Sequence, residues 1–117
     1  MIVLLDENLD HGLRKYLSEH EIVTVSFMGW AGLKNGALLQ KAEDRGIEVF
    51  ITGDKTLPYE QNRANRQIAI IVLSSIELPI LQGHLPTILA AIANSIPGTI
   101  QRVDCGSFSR KRGRGDE

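Results

Sequence analysis

Hydrophobic residues along this chain fall into short continuous runs that alternate with segments of helical spacing. Runs of this kind, rich in β-branched residues, predict strands that are buried on both faces, as in parallel sheets. The predicted strands cover residues 2–5, 22–27, 49–54, 68–73 and 99–103. Apolar residues three and four positions apart predict helices over residues 8–19, 37–45 and 86–96.

The alternation of strands and helices predicts an α/β fold with right-handed crossovers, built as a three-layer sandwich around a mostly parallel sheet. The run at 68–73 is the most apolar and is expected at the centre of the sheet, whereas 99–103 is expected at an edge. One domain is expected over residues 1–106. The basic run 110–114 lies within 107–117 and predicts a disordered tail, which either contacts nucleic-acid phosphates or has no partner.

Composition adds little to this picture, because 43% hydrophobic and 23% charged residues are ordinary for a globular protein. No apolar stretch approaches the roughly 20 residues that cross a bilayer, and no leader precedes the first strand, so we expect a cytoplasmic protein without a membrane partner. Cys105 is the single cysteine and the three histidines are scattered, which favours oxygen ligands and therefore Mg²⁺ or Mn²⁺ at any metal site. Trp30 is expected to fill the core rather than to offer a stacking surface.

An acidic residue follows each of two predicted strands, Asp6 after the first and Asp54 after the third. In an open α/β sheet the ligand site lies beyond the carboxyl ends of the strands, so both side chains are expected at that edge. Two carboxylates about 4 Å apart repel each other by roughly 4 kcal/mol at an effective dielectric constant of about 20, and a divalent cation would relieve that repulsion. The alternative is structural, since Asp6 can cap the following helix and Asp54 can form a plain turn.

Several segments carry a family resemblance: residues 2–9, 29–36, 50–57 and 70–74, and Tyr59 with Gln61 and Asn62. Together they resemble the PIN-like family, in particular the small PIN-like proteins regarded as toxin components of toxin–antitoxin pairs. The resemblance covers residues 1–96 and implies a PIN-like, Rossmann-like sheet. It also implies a metal-dependent ribonuclease, in which carboxylates hold Mg²⁺ or Mn²⁺ and activate water against an RNA phosphodiester.

Under this resemblance, Asp6 and Asp54 are the catalytic and metal-binding residues, and Glu7 or Glu60 completes the metal site. The residues expected to bind substrate are Asn8, Lys55, Gln61, Asn62 and Ser74. The resemblance implies RNA and an antitoxin-like protein as partners. A second copy, in a homodimer, is a further expected partner.

One position departs from the family pattern. Related sequences read Asn-Gly-Glu where this chain has Asn35, Gly36 and Ala37, and alanine cannot bind a metal ion. Glu43 and Asp44 lie about two helical turns further on and are poor substitutes. The alternative function is therefore a non-catalytic PIN-shaped module that binds RNA or an antitoxin-like partner, and Ala37→Glu is expected to raise any nuclease activity.

A receiver domain is a further alternative, because Pro58 follows Asp54 at the spacing found after a phospho-accepting aspartate. Two features argue against it. Only 16 positions separate Pro58 from Ser74, which leaves little room for a helix with its loops, and no Lys-Pro pair follows the next strand.

Overall fold

The computed structural model describes residues 1–57 and 66–105. Its strands are β1 (Ile2–Leu5), β2 (Glu21–Thr24), β3 (Val49–Thr52), β4 (Ala69–Leu73) and β5 (Ile100–Val103). Its helices are a 3-10 helix (His11–Leu17), α1 (Asn35–Asp44), α2 (Leu78–Gln82) and α3 (Leu85–Ala93).

The five strands form one all-parallel sheet in the order β2-β1-β3-β4-β5. Helices cover both faces, so the predicted α/β fold with three layers is confirmed. The strand at the middle of the sheet is β3, whereas the sequence favoured residues 68–73; β4 is fully buried but lies one place off centre. β5 lies at an edge, as expected. The order reverses between β1 and β3, which is the position where sheets of this order bind their ligands.

Two hydrophobic cores lie on opposite faces of the sheet, because successive strand residues point to opposite sides. One core gathers Leu5 and Ile71 with the 3-10 helix, α2 and α3, and the other gathers Leu4 and Phe50 with α1. Trp30 packs in the second core with 9% of its surface exposed, so the prediction that it fills the core is confirmed.

The segment between β1 and β2 differs most from its sequence prediction. A helix was expected over residues 8–19, but the chain first makes a turn in which the Leu9 N–H donates to the Asp6 carbonyl at 3.1 Å. Asp10 then caps the 3-10 helix, with its carboxylate accepting from the Gly12 N–H at 2.8 Å. The leucines of the predicted apolar face, Leu9, Leu13 and Leu17, are nevertheless buried, whereas Tyr16, which the spacing also placed on that face, is 42% exposed. Within the acidic run 6–10 that the sequence suggested for capping, the residue that caps the helix is therefore Asp10.

Two other elements end earlier than predicted, and one short helix was not predicted. β2 stops at Thr24, whose hydroxyl accepts from the Phe27 N–H at 3.1 Å, and the Phe27 side chain is 77% exposed. α3 ends at Ala93, so Ile96 lies beyond the helix and is 61% exposed rather than buried on its apolar face. The short helix α2 was not predicted, since five residues are too few for a periodic pattern.

Some predictions fall outside the described residues: those on Glu60, Gln61 and Asn62, and that on the 107–117 tail. Within the described ranges, no helix has the length and apolar character needed to cross a bilayer.

Candidate functional site

Asp6 and Asp54 lie at the carboxyl edge of the sheet, beside the reversal in strand order. β1 and β3 are adjacent and parallel, with Leu5 opposite Ile51, and the Asp6 N–H donates to the Ile51 carbonyl at 2.9 Å. Asp54 comes two residues after the last residue of β3. The predicted placement of both carboxylates at one edge is therefore confirmed.

Thr52 connects the two acids and is the functional residue that the sequence prediction missed. Its side chain is fully buried, and its hydroxyl donates to Asp6 Oδ2 at 2.6 Å. The Thr52 hydroxyl oxygen also accepts from the Asp54 N–H at 2.9 Å. One buried hydroxyl thus fixes the Asp6 carboxylate and the backbone that carries Asp54.

The Asp6 carboxyl group has a pKa above its ordinary value. The main cause is burial, and the negative charges of Glu7 and Asp54 raise the pKa further. Hydrogen bonds from the Thr52 hydroxyl and, at 2.8 Å, from the Glu7 N–H to Oδ1 partly oppose this rise. Negative charge at Asp6 is thus unfavourable in the folded protein, and a bound cation would stabilise it.

Asp54 has the opposite electrostatic character, since its pKa lies below the ordinary value. The largest cause is the Thr56 hydroxyl, which donates to Asp54 Oδ1 at 2.6 Å, and the Thr56 N–H donates to the same atom at 2.9 Å. A side-chain hydrogen bond from Asn35 also lowers the pKa. Asp54 therefore caps a turn, as the structural alternative expected, while keeping its charge at the edge of the sheet.

The expected neighbours Asn8 and Glu7 lie on two sides of the acids. Asn8 Oδ1 accepts from the Gly53 N–H at 3.4 Å, which places this amide across the ends of β1 and β3. Glu7 Oε2 accepts from the Gly32 N–H at 3.3 Å, so its carboxylate is directed to the loop before α1. Among the residues that the structure describes, no three Asp, Glu, His or Cys side chains are grouped so that they could hold a metal ion.

The start of α1 contributes Asn35 to the site, and not Ala37. Asn35 shares the face of α1 that carries the buried Leu38 and Leu39, whereas Ala37 is exposed on the outer face. The sequence prediction considered position 37 only. Because the Asn35 side chain bonds to Asp54, a carboxylate introduced at position 35 would also lie beside Asp54.

Lys55 and Ser74 also lie at this edge. Lys55 is exposed and directly follows Asp54, which suits contact with a phosphate. Ser74 follows β4, but its hydroxyl accepts from the Cys105 N–H at 2.6 Å and so holds the chain after β5. In comparisons with known proteins, no family model, curated protein or solved structure matches this chain.

The carboxylate oxygens at this edge are of the type that binds Mg²⁺ or Mn²⁺. Both ions prefer oxygen ligands, and Mg²⁺ commonly binds through one or two carboxylates while keeping several waters. The carboxylates of Asp6 and Asp54 supply that minimum, and the hydroxyl of Thr52 fixes the Asp6 carboxylate and the backbone of Asp54.

The raised pKa of Asp6 leads to a pH prediction for the metal-free protein. Above its folded pKa, ionised Asp6 destabilises the fold; as the pH falls through that pKa toward the lower unfolded value, wild type regains this stability. Asp6→Asn cannot titrate. The free energy of unfolding of wild type minus that of Asp6→Asn should therefore increase between pH 7 and about pH 4.

Urea titrations in EDTA, followed by the fluorescence of Trp30, measure this difference. Glu19→Gln is the matched control, because this exposed carboxylate precedes β2 at the opposite edge of the sheet. A wild-type advantage over Asp6→Asn that stays constant or shrinks toward low pH would contradict the prediction.

Proposed function

We propose that this protein is a ribonuclease that depends on Mg²⁺ or Mn²⁺ and uses Asp6 and Asp54. The observation that supports this most directly is that one buried hydroxyl, that of Thr52, bonds to both residues where the strand order reverses. Ligands of open α/β sheets bind at such a position.

The chain's own residues hold two carboxylates in fixed and electrostatically different settings. Asp6 is held by the Thr52 hydroxyl and the Glu7 N–H, and burial makes its charge costly. Asp54 is held by Thr56 and keeps its charge readily. A divalent cation, when bound, supplies phosphate neutralisation and acidification of water.

RNA as the substrate follows from the family resemblance, and the exposed Lys55 beside Asp54 supports it. The Lys55 ammonium group, next to the two carboxylates, can contact a phosphate of the RNA strand. We also propose an antitoxin-like protein partner, a homodimer and a cytoplasmic location.

A second candidate function is binding of RNA or of an antitoxin-like partner without cleavage. It is favoured by the absence, among residues 1–57 and 66–105, of a third ligand grouped with the two aspartates. A metal with two protein ligands is held less firmly, so weak cleavage is expected at most.

The deciding experiment incubates purified protein with a 5′-labelled single-stranded RNA in Mn²⁺ and in EDTA, with single-stranded DNA of the same sequence in parallel. Slow cleavage of RNA in Mn²⁺ alone would support the nuclease. RNA binding without cleavage would favour the second candidate, and cleavage that persists in EDTA would contradict a metal-dependent site.

Asn35→Asp is expected to strengthen Mn²⁺ binding by about tenfold, as a third carboxylate beside Asp54 would complete the oxygen ligands. Without metal the same substitution should lower stability, because it replaces a hydrogen-bond donor to Asp54 with a like charge. Calorimetric titration with Mn²⁺ measures the first effect and urea unfolding in EDTA the second. Ala37→Glu is the matched control and should change both less, since its side chain starts on the outer face of α1; an equal or larger gain from it would contradict the placement.

A further inference from the structure

A cavity of about 520 Å³ opens near Asp54, between the ends of β4 and β5 and the turn that follows β3. Thr56 lines it, and the same Thr56 hydroxyl donates to Asp54 Oδ1 at 2.6 Å. The cavity therefore adjoins the Asp54 carboxylate with one side chain between them.

Two cations line this cavity, Lys55 from the turn after β3 and Arg102 from β5. Both are exposed, and they come from separate elements of the sheet edge. Asp104 is the one acid lining it, as far as the described residues show. Lys55 and Arg102 together supply the charge and the donors that a phosphate group requires.

The inner wall is apolar. Val72 pairs with Arg102 in the register of β4 and β5, so both side chains point to the same face of the sheet, and both line the cavity. The volume lies within the roughly 300–1,000 Å³ typical of small-molecule sites. An apolar wall with two cations at its rim suits a ligand that has a flat ring at one end and a phosphate at the other.

We infer that this cavity binds one nucleotide of the RNA strand, with its base against Val72 and its phosphate at Lys55 and Arg102. The inference rests on the proposed function for the class of ligand, because it places a neighbouring nucleotide where the next phosphate reaches Asp54. Arg102 is a substrate-binding residue that the sequence prediction did not include.

The test is a titration of the full chain, labelled with ¹⁵N and kept in EDTA, with uridine 5′-monophosphate and separately with uridine. Backbone amides of Lys55, Thr56 and Arg102 are expected to shift with the nucleotide, and uridine should bind more weakly by about tenfold or more. Equal affinity for uridine and its monophosphate, or shifts confined to other parts of the chain, would overturn the inference.

Substitutions that remove single charges show which side chains contact the phosphate. Lys55→Gln and Arg102→Gln should each weaken binding of uridine 5′-monophosphate by about fivefold, and Asp104→Asn should strengthen it by about twofold, as expected for exposed charges screened by solvent. Lys15→Gln is the matched control, because this exposed lysine lies in the 3-10 helix, away from the cavity. The two-dimensional spectrum of each variant verifies its fold.

If both cation variants bind like Lys15→Gln, the inference is wrong. Because no metal is present, nucleotide binding does not depend on the carboxylate pair. Nucleotide binding without any Mn²⁺-dependent cleavage of RNA would therefore support the nucleotide site and reject the proposed nuclease. Cleavage of RNA without nucleotide binding would support the nuclease and reject the nucleotide site.

Discussion

Asp54→Asn is expected to lower Mn²⁺-dependent RNA cleavage by at least about 100-fold while leaving the fold intact. Loss of an outer-shell partner of a metal ligand typically costs 10–100-fold, and Asp54 is proposed as a direct ligand. Asparagine keeps an oxygen that can accept from the Thr56 N–H and hydroxyl, so the turn that Asp54 caps should remain. The change therefore removes the charge and keeps the geometry.

Initial rates of cleavage of a labelled single-stranded RNA measure the loss, and urea unfolding monitored by Trp30 fluorescence measures stability. Glu19→Gln removes one carboxylate charge at the opposite edge of the sheet and should cleave like wild type. A rate for Asp54→Asn within a few fold of wild type would mean that Asp54 only caps its turn. If Asp54→Asn were much less stable than wild type, its loss of activity could be due to unfolding. Asp54→Ser, which also keeps an oxygen acceptor, would then be the test variant.

The placement of the two acids could be predicted from sequence because it depends on one rule of parallel sheets. Asp6 and Asp54 each follow a buried apolar run, and such runs end at the same edge. The side chains that hold them were harder to predict. Thr52 reads as an ordinary β-branched strand residue, and only the adjacency of β1 and β3 brings its hydroxyl to Asp6.

The strand order itself has no local signal in the sequence. The apolar character of residues 68–73 favoured that run as the central strand, but interior strands of a parallel sheet are all buried on both faces, so hydrophobicity does not rank them. The hydrophobic pattern also could not predict that the helix after β1 is a 3-10 helix. Its buried leucines keep the spacing of an α-helix, while the turn at Asp6 and the cap at Asp10 set where it begins.

Glu43 shows why an acid in a helix near a site need not belong to the site. Its Oε2 accepts from the Gln67 N–H at 2.7 Å and from the Ile68 N–H at 3.1 Å, directly before β4. Arg66 lies 3.5 Å from Oε1, and its guanidinium donates to the Gly36 carbonyl at 3.2 Å. Glu43 therefore anchors the start of β4 to α1, which agrees with the sequence expectation that it is a poor metal ligand.

Glu43→Ala is accordingly expected to lower the free energy of unfolding by about 1–2 kcal/mol. Two backbone N–H groups lose a charged acceptor; water can replace it at the exposed Gln67, whereas the Ile68 N–H is partly buried, and an unsatisfied buried polar group costs about 1–3 kcal/mol. The ion pair with Arg66 adds less, because pairs near the surface contribute about 0–1 kcal/mol. Glu43→Gln should fall between wild type and alanine, since its amide keeps one oxygen acceptor.

Asp44→Ala is the matched control for this loss. The neighbouring carboxylate is exposed and accepts one hydrogen bond, from the Gln40 amide at 3.0 Å, so its removal should cost about 0.5 kcal/mol or less. Urea titrations of the three variants, monitored by Trp30 fluorescence, give the order. If Glu43→Ala and Asp44→Ala unfold at the same urea concentration, the two backbone bonds do not anchor β4. Full retention of RNA cleavage per folded molecule in Glu43→Ala would show that this acid supports the sheet and takes no part in the reaction.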